Sequence, residues 1–255
     1  MVAVPVGVVT GYGINADREL AEAFRRAGGA PELVHVQDLI DGARKVSAFR
    51  ILAFPGGFSF GDHLGSGLVF AHLVRRRLRR ELDLLLADGG LVLGVCNGFQ
   101  ALVKMGILPN LGGGWQPQVS LVHNASGLFE DSWVEVEFDA DSPCVWTQGL
   151  APMELPIRHG EGRFIAASQA IMSEIDRNHL AAVRYRGRNP NGSQGGVAGI
   201  TDATGRVFGL MPHPEAFLYP ENHPRWSRDQ PTAARDQPTA ARGLELFENG
   251  VRAAQ

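Results

Sequence analysis

Apolar residues fall into two alternating textures along the first hundred positions. Short, continuously apolar runs at 4–9, 33–36, 51–54 and 91–95 read as strands, and between them apolar residues recur at helical spacing. Leu20, Ala23, Phe24 and Ala27 do so over 17–27, where Gly28-Gly29 supplies a stop. Leu64, Leu68, Ala71, Val74, Leu78, Leu82 and Leu85 form one stripe over 64–86, ended by Gly89-Gly90. Strands too apolar to face water on one side belong to sheets covered on both faces. The alternation therefore predicts an α/β fold, a doubly wound, mostly parallel sheet with helices on both faces. Ligands are then expected beyond the carboxyl ends of its strands.

The second half is patterned in shorter runs. Residues 119–123, 133–138, 180–185, 197–200 and 207–211 read as strands between Gly, Asn and Pro turns, and a helix closes the chain over 243–251. The heptad RDQPTAA at 228–234 recurs unchanged at 235–241. Two copies are too few for a stacked repeat architecture. They read as part of a surface insertion at about 217–242 in a single domain spanning 1–255. Arg75, Arg76, Arg77, Arg79 and Arg80 lie opposite the apolar stripe and are followed by Glu81 and Asp83, the pattern of a solvated helix face.

Composition narrows the class. A chain of 255 residues buries a large core without disulfide staples, and the 2 cysteines, Cys96 and Cys144, cannot build a disulfide framework. A reducing, cytoplasmic setting is expected. With 24 Lys+Arg against 27 Asp+Glu the net charge is −3, which argues against a general nucleic-acid binder. No run approaches the ~18–20 apolar residues of a membrane helix, and the apolar start lacks the basic flank of a signal peptide.

Candidate chemistry centres on LVLGVCNGFQ at 91–100. A buried strand runs into Gly-x-Cys-x-Gly and then a helix, the thiol version of a nucleophile elbow, which lifts the nucleophile above the sheet. The helix N-terminus beneath Cys96 favours negative charge there, and its free N–H groups can hold an oxyanion. Cys144, after Ser142-Pro143, reads as packing. A thiol nucleophile needs a base and the base an orienting group. Pro212-His213-Pro214-Glu215 follows the apolar run 207–211, so His213 sits on a stiff turn at a strand's carboxyl end with Glu215 in reach. Gly56-Gly57, after the third strand, can bring Gly57 N–H to an anionic oxygen alongside Asn97 N–H. The loop lacks the Gly-Lys-Ser/Thr of a P-loop. Each motif alone reads more plainly as a turn, a packed thiol or a surface loop. Together they point to a Cys96–His213–Glu215 triad.

These residues resemble the class I (triad) glutamine amidotransferases, whose fold is flavodoxin-like and which release ammonia from glutamine through a cysteinyl thioester. GGFSFGDHLGSG (56–67), GVCNGFQALVKMGILP (94–109), PIRHGEGRF (156–164), NPNGS (189–193) and MPHPE (211–215) are similar to the glutaminase subunits of phosphoribosylformylglycinamidine synthases. The resemblance implies Cys96 as nucleophile, His213 as general base and then acid, Glu215 as its orienter, and Gly57 and Asn97 as oxyanion donors. It also implies that Gln100 supports the elbow and that Phe58 and His159 lie near the glutamine pocket or the synthetase face. No cofactor or metal is expected on this chain. The implied partners are L-glutamine, an ATP- and magnesium-using synthetase subunit and a small accessory subunit, with neither nucleic acid nor membrane. The sequence departs from the usual pattern in three places. Gly65 replaces an arginine, Glu130-Asp131-Ser132 replaces a cysteine-bearing stretch after Phe129, and 217–242 is longer. Three alternatives stay open: a triad glutaminase serving a different synthetase, a non-catalytic regulatory protein on the same fold, and a cysteine hydrolase or chaperone of the related fold, whose elbow normally lacks the Asn-Gly-Phe-Gln continuation at 97–100.

Overall fold

The computed structural model describes residues 3–227 and 241–255. Its main sheet has nine strands: β1 (Val4–Thr10), β2 (Gly29–His35), β3 (Ile51–Phe54), β4 (Leu91–Val95), β6 (Glu130–Phe138), β7 (Met153–His159), β9 (Val183–Tyr185), β10 (Val197–Thr201) and β11 (Val207–Leu210). They lie in the order β2-β1-β3-β4-β11-β10-β9-β6-β7. β5 (Val119–Val122) and β8 (Arg163–Ala166) form a separate antiparallel pair.

The first five strands of that order are mutually parallel, and one register row, Leu33, Val8, Ala53, Leu93 and Phe208, runs straight across them. Their carboxyl ends are thereby aligned along a single edge, where the loops after Thr10, Phe54, Val95 and Leu210 emerge. The remaining four pair antiparallel, which turns β9 and β7 back to the common direction, so seven of nine strands agree.

Helix α1 (Asp17–Arg26) joins β1 to β2, and α3 (Leu68–Ala87) joins β3 to β4 in the opposite direction along the sheet. Right-handed crossovers then place the two helices on opposite faces. α1 packs on the closing helix α6 (Gly243–Ala253), with Phe24 edge-on to Phe247 at 5.1 Å between ring centroids. α3 packs on α2 (Val36–Ile40) and α4 (Asn97–Met105), and Phe70 meets Phe54 of the sheet at 6.1 Å. Each such ring, buried to 2% exposure or less, contributes roughly 1.5–3 kcal/mol. β3 and β4 are buried at every position, as their unbroken apolar runs require.

Several sequence expectations are corrected. β2 is an edge strand beginning at Gly29, and Leu33 is 43% exposed, so only one face of it is covered. The helix expected from residue 64 begins at Leu68. The chain stays non-helical through Gly67, whose N–H is held by the Asp62 carboxylate at 3.0 Å, and Leu64 stands 73% exposed on that loop. β7, β8 and α5 (Gln169–Arg177) had no sequence counterpart.

The arginine run does lie on the outer side of α3, where Arg79 covers the Trp115 ring at 5.4 Å and reaches Asp83 at 3.7 Å. Of the expected insertion, 217–227 is anchored. Phe217 and His223 pack on Trp133, and His223 bonds Glu154 at 3.1 Å. Residues 228–240, which hold nearly all of the doubled heptad, lie outside the described residues.

Candidate active site

Cys96 sits between β4 and α4 with φ 51° and ψ −107°, outside the regions an L-residue favours. Such a conformation costs about 1–3 kcal/mol. It is held by the Cys96 N–H to Leu210 O bond (2.8 Å) and the Gln100 N–H to Cys96 O bond (2.9 Å), each worth about 1 kcal/mol net. Gly98 is required because a Cβ there would fall 1.9 Å from the Phe54 carbonyl oxygen. The turn thus brings α4 against β3 and leaves the thiol at the carboxyl edge, 6% exposed and 3.8 Å from Arg158 O.

His213 arrives from the neighbouring strand β11. Its N–H bonds Pro156 O at 2.8 Å, which pins the turn to β7. Its Nδ1 meets Glu215 Oε1 at 2.6 Å, and Nε2 is buried with no hydrogen-bond partner among the described residues, beside the cavity it shares with Cys96. Burial pushes the imidazole down, but the negative charges of Glu215 and Cys96 outweigh it and raise the ring to about 10.

His159 shows the opposite behaviour. It is 3% exposed, and its Nδ1 meets Asn124 Oδ1 at 3.1 Å. The Asn124 amide nitrogen already donates to Leu128 O and His159 O. Its oxygen must therefore accept from His159 Nδ1–H. Burial, reinforced by the charge on His213, pushes His159 down to about 4. Two nearby imidazoles with protonation ranges pushed apart take different roles. His213 can carry a proton, whereas His159 is a neutral buried ring that does not line the cavity.

The loop after β3 supplies Gly57 at φ 147°, where a Cβ would come within 2.8 Å of Asn15 N and Ile14 Cα. Its bridge to Ile14 uses the Phe58 N–H to Gly13 O and Asn15 N–H to Gly56 O bonds, leaving the Gly57 N–H outside the pairing. The Asn97 side chain staples this loop to the elbow. Its oxygen accepts Ser59 N–H (3.1 Å), and its nitrogen donates to Asp62 Oδ1 (3.1 Å) and Gln100 Oε1 (2.9 Å). Gln100 in turn donates to Glu161 O, tying the elbow to the segment after β7.

A cavity of about 320 Å³ opens over Cys96 and His213, with Gly57, Phe58, Asn15, Ala16, Glu19, Phe129, Asp131 and Arg158 on its walls. Phe58 is half exposed at its mouth. Sequence reasoning missed Glu19, Asp131 and Arg158. The carboxyl-edge rule covers Glu19, just after β1, but the other two depend on the register of β6 with β7. A larger hollow of about 620 Å³ between α2 and α3 has neither thiol nor imidazole on its walls. Asp139, Asp141 and His179 bring ligand atoms within 4.8 Å of one another, but none borders the Cys96 cavity. Cys144 is fully buried, its thiol pushed up to about 11 by that burial, consistent with an inert packing role.

Residues 3–252 match the profile of the CobB/CobQ-like glutamine amidotransferase domain. A Dehalococcoides mccartyi protein named phosphoribosylformylglycinamidine synthase subunit PurQ is 40% identical over 254 residues, covering 95% of this chain and 94% of that one. A Methanococcus maripaludis protein of the same name is 39% identical over 231 residues, covering 86% and 85%. Among solved structures, the chain resembles one from "Structure of PurLQS from Thermotoga maritima", with a TM-score of 0.74, 27% identity and 100% of both chains covered.

Proposed function

The chain belongs to the CobB/CobQ-like glutamine amidotransferase family, and we propose from that premise that it is the glutamine-hydrolysing subunit of a phosphoribosylformylglycinamidine synthase. The observation that carries the chemistry is the meeting of a strained cysteine elbow with a buried His213–Glu215 pair, 2.6 Å apart, over one cavity.

In this reading Cys96 Sγ attacks the carboxamide carbon of glutamine. The oxyanion that forms is held by the backbone N–H groups of Gly57 and Asn97, each such donor being worth about 3–4 kcal/mol in the transition state. The C–N bond then breaks while His213 gives its proton to the departing nitrogen. A proton-holding range raised to about 10 suits it to that donation. Water, deprotonated by His213, cleaves the thioester to glutamate and restores the thiol. Glu215 orients the ring throughout.

Ammonia passes to a synthetase subunit, which holds ATP and magnesium and converts formylglycinamide ribonucleotide to its amidine. A docking face at the cavity supports this division of labour. Of the nine large apolar side chains exposed among the described residues, five (Tyr12, Phe58, Leu64, Leu128 and Phe129) belong to three loops bordering the cavity. Apolar surface gathered this way marks a protein contact. A small accessory subunit completes the assembly in this reading, and a nucleophilic free thiol suits a reducing, cytoplasmic setting.

Reconstitution with a synthetase subunit of this pathway tests the assignment. With ATP and magnesium, glutamine is expected to drive amidination of formylglycinamide ribonucleotide. Glutamine hydrolysis coupled only to some other acceptor would move the chain to a different synthetase.

A further inference from the structure

The charged groups on the cavity wall carry an assignment that rests on the glutaminase reading above. Arg158 and Asp131 are directly opposed across the β6–β7 ladder, so their side chains share one face. Both line the cavity, and Glu19 of α1 joins them there. Their neighbours on the same sheet edge are closed into ion pairs: Glu135 with Arg186 at 2.9 Å, Glu130 with Arg188, and Glu154 with His223 and Arg225. Among the described residues, the side chains of Arg158, Asp131 and Glu19 have no such partner. Arg158, half-buried, and the exposed Asp131 and Glu19 thus stand open around the space above the nucleophile. The backbone of Arg158 touches that nucleophile, its carbonyl lying 3.8 Å from Cys96 Sγ, so the residue that carries the cation is anchored beside the reacting sulfur.

We propose that Arg158 holds the α-carboxylate of glutamine and that Asp131, with Glu19, holds its α-ammonium, making the cavity specific for a free α-amino acid. A zwitterion satisfies both signs of charge at once. An amide without the carboxylate leaves the guanidinium uncompensated, and glutamine acylated on nitrogen leaves the acids so. Charge-assisted bonds are the strong ones, and a planar guanidinium matches a carboxylate by a paired contact.

The test uses the chain assembled with its synthetase subunit and three substrates: L-glutamine, L-glutamine α-amide and N-acetyl-L-glutamine. The wild-type complex is expected to favour glutamine over each analogue by about 10- to 100-fold in kcat/KM. In Arg158→Leu the KM for glutamine rises far more than kcat falls, and the preference over the α-amide collapses towards unity. Arg158→Lys restores part of it. Asp131→Asn lowers the preference over N-acetyl-glutamine, to a smaller extent because Glu19 remains. Equal losses on glutamine and the α-amide in Arg158→Leu would mean the residue only supports the wall, and would overturn the proposal. So would a wild-type complex that does not discriminate among the three. A wild-type complex inactive on all of them would overturn the glutaminase reading itself, and this proposal with it.

Discussion

Cys96→Ala is expected to lower glutamine-dependent amidination by the assembled complex roughly 10⁴-fold or more, while synthesis from added ammonium salt continues. The size of the loss follows from what the sulfur does. Without it there is no covalent intermediate, and water would have to attack a stabilised amide directly. The substitution is gentle on the fold. Cys96 contributes its strained backbone through main-chain bonds to Leu210 O and from Gln100 N–H, neither of which needs the side chain. Steady-state assays with glutamine and with ammonium, on the same preparation, separate the two activities. Loss of both would point to failed assembly or to a different role for the residue.

Glu215→Gln is the second large effect. It keeps the shape at 2.6 Å from His213 Nδ1 but removes the larger of the two charges that together outweigh the burial of the ring. Activity on glutamine is expected to fall roughly 10³- to 10⁴-fold, as when a triad loses its orienting carboxylate. The pH dependence moves in a defined direction. In the folded protein His213 is raised from an ordinary 6.5 to about 10. The stability tied to its proton is therefore fully present below about 6.5 and is lost as the pH climbs towards about 10. The alkaline limb of the activity profile reflects the same proton. In Glu215→Gln both the limb and the alkaline stability loss shift to lower pH. A profile of kcat/KM against pH together with alkaline unfolding curves reads both. An unmoved limb would remove His213 as the proton donor.

The parallel half of the sheet was legible because its strands are buried on both faces and so are written as unbroken apolar runs. β3 and β4 are the clearest instances. β2 was misread because it lies at the edge, where Leu33 can face water. β7 was invisible for a local reason: Pro156 lies in its middle, and proline cannot donate to a ladder. Only the strand's place at the far edge of the sheet allows it, and the Pro156 carbonyl is then free to hold His213.

The candidate site divides in the same way. Cys96 and His213 announce themselves through local chemistry, a glycine-flanked turn and a proline-flanked strand end. The cavity wall does not. The side-by-side placement of Asp131 and Arg158 follows from a register between two strands, one of them unrecognised. The side-chain role of Asn97 was likewise hidden. The sequence marked it as a backbone donor, whereas its amide also holds Ser59, Asp62 and Gln100 in place around the elbow.

Glutamine hydrolysis here depends on Cys96 as the nucleophile, and covalent trapping examines that directly. The assembled complex is exposed to an electrophilic glutamine analogue and analysed by intact mass and peptide mapping. One adduct per chain is expected, on Cys96, suppressed by excess glutamine and absent from the fully buried Cys144. An intact Cys96 under these conditions, or labelling that glutamine does not suppress, would contradict it.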